Sequence, residues 1–302
     1  MQCRWLVIFC FGFALPVAAQ RSVDAFLSPA DSLQISRRNA VVSTEVAFSS
    51  AAIIGLSQLW YADYPKSNFH FINDANEWQQ LDKAGHVFSS YHLGRFSKEA
   101  LAWSGVSKQD QLLYGATFGF AFLTAVEVLD GYSAQWGASW SDVAANATGT
   151  ALYVSQELCW NEQRIIPKYS FHTTAYAQQR PDLLGSSLQE QLLKDYNGQT
   201  YWLSVNMQSF VKSKAVPVWL NIAVGYGADG MVSAQALSPS SSLSPTARTR
   251  QIYLSLDVDL TKIKTKSHLV KTICSVFNTI KIPAPTIEFG TSSVLKLYTI
   301  YF

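Results

Sequence analysis

Three stretches of this 302-residue chain carry ionisable side chains into apolar surroundings. In QQLDKAGHVFSSYHLG, residues 79–94, Asp82, Lys83 and His86 fall within five residues. Asp82 and His86 are four apart and so share a helix face. In AVEVLDGYSAQWGASWSDVAANATGTAL, residues 125–152, Glu127 and Asp130 are three apart, and Asp142 and Asn146 are four apart. Carboxylates beside an imidazole can relay a proton, hold a cation, or form a buried network that fixes helix register. An isolated carboxylate in an apolar interior is costly, and grouping these residues lowers that cost through mutual hydrogen bonds or a cation.

Each residue also has a plainer reading. Asp82 and Asp142 fall at helix starts, where a carboxylate caps free N–H groups and meets the positive end of the helix dipole. His86 reads first as a core histidine bonded to Glu127 or Asp130, and second as a metal ligand. Asn146 reads as a bridge between helices. Glu127 and Asp130 sit where a helix ends, against its dipole, so they need a partner: His86, Lys83 or a metal. The metal candidates are therefore His86, Glu127 and Asp130, and the sequence names neither a metal nor a cofactor.

Four apolar helices must position these groups. They are expected at about 40–62, 82–103 (with Asp82 as N-cap), 108–130 (stopped by Gly131), and from Ser139 or Ser141 to Trp160. Glycine, alanine and serine recur in all four, as in helices whose backbones approach closely. The third has a near-span-length apolar run, which leaves membrane insertion open. After Pro167 the pattern changes to period two. TYWLSVNMQSF, VWLNIAVGYG and RQIYLSLDVDL read as strands, 266–280 as an amphipathic helix, and the tail from Pro285 as two more strands. About five strands from Tyr196 onward fall short of the eight that a bacterial membrane barrel needs. The expected fold class is α+β: a four-helix apolar bundle followed by a small antiparallel β-rich region with one helix. The expected boundaries are 1–19 signal peptide, 20–38 polar linker, 39–166 helical bundle and 167–302 β-rich region.

Charged residues make up only 15% of the chain and hydrophobic ones 48%, with a mean hydropathy of +0.07. That balance points to much burial, with a few helices in or against a membrane or one apolar bundle covered by another layer. A net charge of +2 without a basic block argues against a nucleic-acid partner and leaves membrane or envelope partners. Arg4, the apolar run Trp5–Leu15 and Val17-Ala18-Ala19 form a secretory signal with Gln20 as the new N-terminus. The remaining Cys159 and Cys274 read as two buried thiols.

DKAGH, then Glu127 and Asp130, then GASWSDVAANATG resemble the YfiM-like family of predicted periplasmic lipoproteins. Asp82, Lys83, His86, Glu127, Asp130, Ser139, Trp140 and Asp142 match by position, over about residues 80–155. The order is also similar to VanZ-like membrane proteins through Asp142, Asn146 and Gly149. The C-terminal region resembles the extension in Bacteroidota members, while the lipidated cysteine is missing. The resemblance implies an exported protein of a Gram-negative cell envelope, periplasmic or membrane-associated, with the inner membrane as the alternative. No established activity comes with it. The expected role is structural or interactive, around a buried His/Asp/Glu network. The alternative is a metal-dependent or acid/base hydrolase acting on lipid or glycan. N-terminal sequencing of the exported protein should find a chain starting at or near Gln20. An intact Met1, or a lipid on Cys10, would refute this.

Overall fold

The computed structural model describes residues 17–59, 65–236, 247–290 and 295–302. Most of the signal reading, residues 1–16, lies outside these, and the cleavage point after Ala19 falls in the first turn of helix α1, Val17–Leu27. The stretch 20–38 is therefore largely helical, since α2 already begins at Ile35 and runs to Leu59. Polar residues that suggested a solvated linker serve as caps. The Asp24 carboxylate accepts from Leu269 N at 3.0 Å and Ser267 Oγ at 2.6 Å. The Arg37 guanidinium donates to Ser28 O and Trp103 O and lies over the Trp103 ring, 4.5 Å from its centroid.

Helix α3, Leu81–Trp103, is the central element. Helices α4, Phe118–Asp130, and α5, Trp140–Trp160, pack on it and on each other, while α2 makes a smaller contact. A short turn, Lys108–Asp110, and a π-helical stretch, Gln111–Gly115, lead into α4. The close approach depends on missing side chains. A Cβ on Gly119 would run into the Ser90 carbonyl, and one on Gly149 into the Val87 carbonyl. Beside these contacts Tyr91, Ala116, Tyr153 and Ile166 form a buried apolar cluster. By length and composition, α2 and the stretch Lys108–Asp130 could each cross a membrane. Most of α2 is left uncovered by the described residues, with Val42, Val46, Phe48 and Ile54 exposed.

Asp82 is not the cap of α3. The cap position is Gln80, which ends the 3₁₀ turn Glu77–Gln80 in left-handed backbone, φ 47° at Trp78, 52° at Gln79 and 64° at Gln80. Such values are costly for residues with side chains and persist only when the surroundings fix them. Here Trp78 N donates to Ala234 O at 2.9 Å, Tyr226 Oη donates to Gln79 O, and Arg250 donates to both glutamine side chains. On either side of the site, β1, Phe71–Ile72, pairs in parallel with β2, Ala138–Ser139.

The C-terminal part is one antiparallel sheet in sequence order: β3 Ile165–Phe171, β4 Gln199–Asn206, β5 Leu220–Asp229, β6 Thr249–Val258, β7 Ala284–Gly290 and β8 Leu295–Tyr301. Helix α6, His268–Phe277, interrupts it as expected, and shorter helical turns join the other strands. The molecule is α+β. The sheet is curled enough that Lys168 on β3 reaches Asp257 on β6 at 2.8 Å and Thr200 on β4 meets Tyr301 on β8 at 3.2 Å. Among the described residues β3 and β8 do not pair, so the sheet keeps two edges. Residues 279–281 bond to β3 from outside, through Tyr169 N to Thr279 O and Lys281 N to Tyr169 O, both 2.9 Å.

The glycine contacts carry a direct expectation. Gly119→Ala forces a methyl against backbone that cannot swing aside, and overpacking of this kind costs roughly 1–3 kcal/mol. Urea denaturation should show that loss. The control, Gly55→Ala, has open space around it and should be neutral or slightly stabilising.

Candidate functional site

The first turns of α3, the last turn of α4 and the first turns of α5 meet at one level. Their side chains converge as the four-residue and three-residue spacings require. Lys83 is the centre of charge. Its Nζ lies 2.6 Å from Asp74 Oδ2, 2.8 Å from Asp82 Oδ2 and 2.6 Å from Asp142 Oδ1. The third contact ties the start of α3 to the start of α5. Asp74 is fixed further by the hydroxyls of Ser139, at 2.5 Å, and Ser141, at 2.7 Å. Tyr196, from the chain before β4, donates to Asp82 Oδ1 at 2.8 Å.

His86 faces the other way along the cluster. Its Nδ1 is 3.0 Å from Asn146 Oδ1, so in the assigned amide orientation Nδ1 carries a proton. Nε2 then points at three carboxylate oxygens: Asp142 Oδ1 at 3.6 Å, Glu127 Oε1 at 3.8 Å and Asp82 Oδ1 at 3.9 Å. These separations are too long for hydrogen bonds. They suit a proton-bearing or cation-bearing gap, since donors sharing one ion at about 2.0–2.2 Å sit roughly 3–3.5 Å apart. Ligand atoms of Asp82, His86 and Asp142 all lie within 4.8 Å of one another. Glu127 also accepts from Ser139 N at 3.2 Å.

The electrostatics follow from burial and from the excess of acids. Burial raises the Glu127 carboxyl to about 8 and the Asp142 carboxyl to about 7, with help from Asp142 and Asp82 respectively. Burial also works on Asp74, but hydrogen bonds from Lys83, Ser139 and Ser141 hold it down at about 2. Burial would lower His86, yet the charges of Asp82, Asp142 and Glu127 raise it overall. Burial lowers Lys83 as well, and again its carboxylate neighbours win. Four carboxylates thus face one ammonium and one imidazole. Near neutral pH the balance requires protons held on Glu127 and Asp142, or a cation.

Of the residues singled out in the sequence, Asp82, Lys83, His86, Glu127, Asp142 and Asn146 are brought together. Asp130 stands one turn past Glu127, and its charge adds to the upward pressure on that carboxyl. Asp142 is not a cap. Ser139 caps α5 by accepting from Asp142 N at 3.2 Å, which leaves the Asp142 carboxylate free for the cluster. Asp74, Ser141 and Tyr196 were missed. His92 belongs elsewhere: it is buried, bonded to Pro167 O at 2.7 Å, and held neutral by burial and by Arg95.

Residues 70–156 match a family described as "Predicted periplasmic lipoprotein (DUF2279)". The matched stretch begins before Asp74 and ends within α5, so it contains every site residue except Tyr196. No curated protein and no solved structure matches the chain.

Removing the ammonium tests the charge balance. Lys83→Met leaves Asp74, Asp82 and Asp142 without their shared counter-charge, and breaking a buried pair costs about 3–5 kcal/mol. Chemical denaturation at pH 8 should show a loss of that size, with a smaller loss at pH 5 where protons replace the ammonium.

Proposed function

We propose that this is an exported cell-envelope protein of the YfiM-like type whose His86 cluster binds a divalent cation that clamps α3, α4 and α5. Its role on this reading is structural or interactive, and the cation makes the helical part a rigid platform. The observation that carries it is the placement of His86 Nε2 opposite three carboxylate oxygens at 3.6–3.9 Å. Asn146 supports the reading in two ways. It fixes the imidazole so that Nε2 is the open nitrogen, as a hydrogen bond behind a metal-binding histidine does. Among the described residues its own Nδ2 is buried without a hydrogen-bond partner, a sign that this pocket is arranged for something besides its own side chains. A set of one imidazole and several carboxylates suits zinc, manganese or another borderline divalent ion.

A second reading has its own support. His86 and Asp82 keep 18% and 22% of their side chains accessible, so a small molecule can reach them. Glu127 and Asp142 titrate near neutrality, where a general acid or base works best. An acid/base or metal-dependent hydrolase of envelope lipid or glycan would use the same residues.

The pH dependence separates an ion-filled site from a proton-filled one. Glu127 and Asp142 hold protons in the folded chain at pH values where an unfolded chain has released them. Without a cation, folded stability should therefore fall as pH rises from about 5 to 8, and the raised His86 adds to the fall. With a bound cation the protons are displaced, so the fall should shrink or reverse. Thermal melts of chelator-treated and zinc- or manganese-reloaded protein across that range check this, together with metal analysis of the purified protein. His86→Ala should lower the melting temperature and abolish the cation-dependent rise. If the variant melts like the wild type with the cation response intact, the clamp is wrong. A fully folded variant that has lost metal and an envelope-hydrolase activity would favour the second reading.

A further inference from the structure

The six-stranded sheet is inside out. Its concave face buries Lys168, Asp257, Ser204, Asn221, Asn206, Ser255 and Glu288 around the aromatic cluster of Trp202, Tyr253 and Tyr301, whereas its convex face over β5–β8 is apolar and is left uncovered by the described residues. Register places Val224, Leu254, Ile287 and Leu297 side by side in one row across four strands. A second row runs Ile252, Phe289, Leu295, and Leu256 stands beside Ile222. Leu297 is 79% exposed and Leu295 62%. A sheet facing water on one side normally turns its polar residues outward. A contiguous apolar area of this kind marks a surface that meets something apolar.

One end of this face carries the opposite chemistry. The connections 207–219 and 260–271 leave the sheet at the same end, because Leu220 on β5 pairs with Val258 on β6. Together they contain six lysines, of which Lys262 pairs with Glu162 at 2.9 Å; the other acids at this end are Asp259, just after β6, and Asp24, which accepts from Ser267 Oγ. Lys212, Lys214, Lys264 and Lys266 are exposed. Aromatic side chains stand there too. Trp219 and Phe210 are exposed, Trp160 lies 5.6 Å from Phe210, and the Arg164 guanidinium covers both rings. An open apolar cavity of about 1020 Å³, bordered by Phe26, Val41, Phe96, Leu260 and Ile263, opens on the same segment.

We propose that the convex face of β5–β8 seats in the surface of an anionic lipid bilayer, with the lysine-rich end binding its phosphate headgroups. Charge decides for lipid over protein. An apolar band bounded at one end by exposed aromatics and by the exposed Lys212, Lys214, Lys264 and Lys266 matches acyl chains bounded by anionic headgroups. The open edge of β8 sets the depth. Unpaired backbone groups cannot enter hydrocarbon, so the face lies in the interfacial layer and the sheet does not cross the membrane. This inference concerns a surface outside the cation site and does not rest on it.

The test follows one position on the face. In a Cys159→Ser, Cys274→Ser background, Leu297→Cys is labelled with an environment-sensitive fluorophore, and Gln189→Cys on an exposed helix serves as control. The probes are vesicles of phosphatidylcholine alone and with phosphatidylglycerol. At position 297 the emission should shift to the blue on the anionic vesicles and be quenched by brominated acyl chains, while position 189 stays unchanged. Lys212→Gln, Lys214→Gln and Lys264→Gln should each weaken vesicle binding roughly fivefold at low salt, with the melting temperature unchanged. A label at 297 that stays in water with both vesicle types overturns the proposal. So does protection of that label by raised protein concentration without lipid, which would make the face a contact between two copies. A signal indifferent to the lysine changes and to phosphatidylglycerol overturns the headgroup assignment.

Discussion

The interaction on which the rest depends is the Lys83 ammonium set among Asp74, Asp82 and Asp142. A carboxylate removed from water must find a counter-charge or take a proton. Lys83 supplies one charge to three acids, and His86 can supply a second. This shortage constrains the local geometry. The starts of α3 and α5 and the end of α4 have to stay level, or an acid is stranded. It also makes the cluster responsive, because whichever species fills the deficit changes the stability of all three helix ends at once. The glycine contacts along α3 serve the same end from the packing side. They let α4 and α5 come close enough for short side chains such as Asp142 and Asn146 to reach His86.

The sheet solves a related problem in the opposite sense. Its concave interior combines the aromatic cluster of Trp202, Tyr253 and Tyr301 with an ionic network: Lys168 pairs with Asp257 at 2.8 Å and bonds to Val258 O, Ser204 donates to the same carboxylate, and Asn221 donates to Ser204. Lys281, fully buried, donates to Leu256 O and Ile282 O, and burial pulls it down to about 8 against the pull of Asp257. A pair such as Lys168–Asp257 spans from β3 to β6 and so favours curling, since a flat sheet would hold these residues too far apart to meet. Buried pairs of this type add little net stability, but breaking one leaves a stranded charge. They specify shape. Apart from the aromatic cluster of Trp202, Tyr253 and Tyr301, the large apolar side chains of β5–β8 such as Leu254 and Leu297 are turned outward.

The helical part was legible because its signals are local. Spacings of three and four residues put Asp82 with His86, Glu127 with Asp130 and Asp142 with Asn146, and helix ends fell within a few residues of Trp103, Asp130 and Trp160. Small residues announced close packing, and Gly119 and Gly149 are where it occurs. Capping was misread at Asp82 and Asp142 for a physical reason: an acid at a helix start suits the dipole whether it caps or not. Asp74 could not be found by periodicity, as it lies in an irregular loop. Tyr196 is 114 residues from Asp82 and depends on how the sheet docks. Strand alternation was visible in RQIYLSLDVDL, but alternation shows only that the two faces differ. Which face turns inward is decided by partners such as Lys168 and Lys281, remote in sequence.

Those remote contacts also link the two halves of the chain. The stretch that matches the lipoprotein family supplies the acids, the lysine, the histidine and Asn146, yet it does not fix the start of α3 alone. The left-handed turn at Trp78–Gln80 is held by Tyr226 from β5, Ala234 O from the loop after β5 and Arg250 from β6. Leu81, the first residue of α3, is buried with Ala228 and Met231. Tyr196 then closes the outer side of Asp82. A strained turn needs such external support, and Asp82 stands two residues beyond it. The β-rich region therefore sets where α3 begins and how Asp82 is oriented, so a displacement of the sheet would be felt first at the carboxylate nearest the mouth of the cluster.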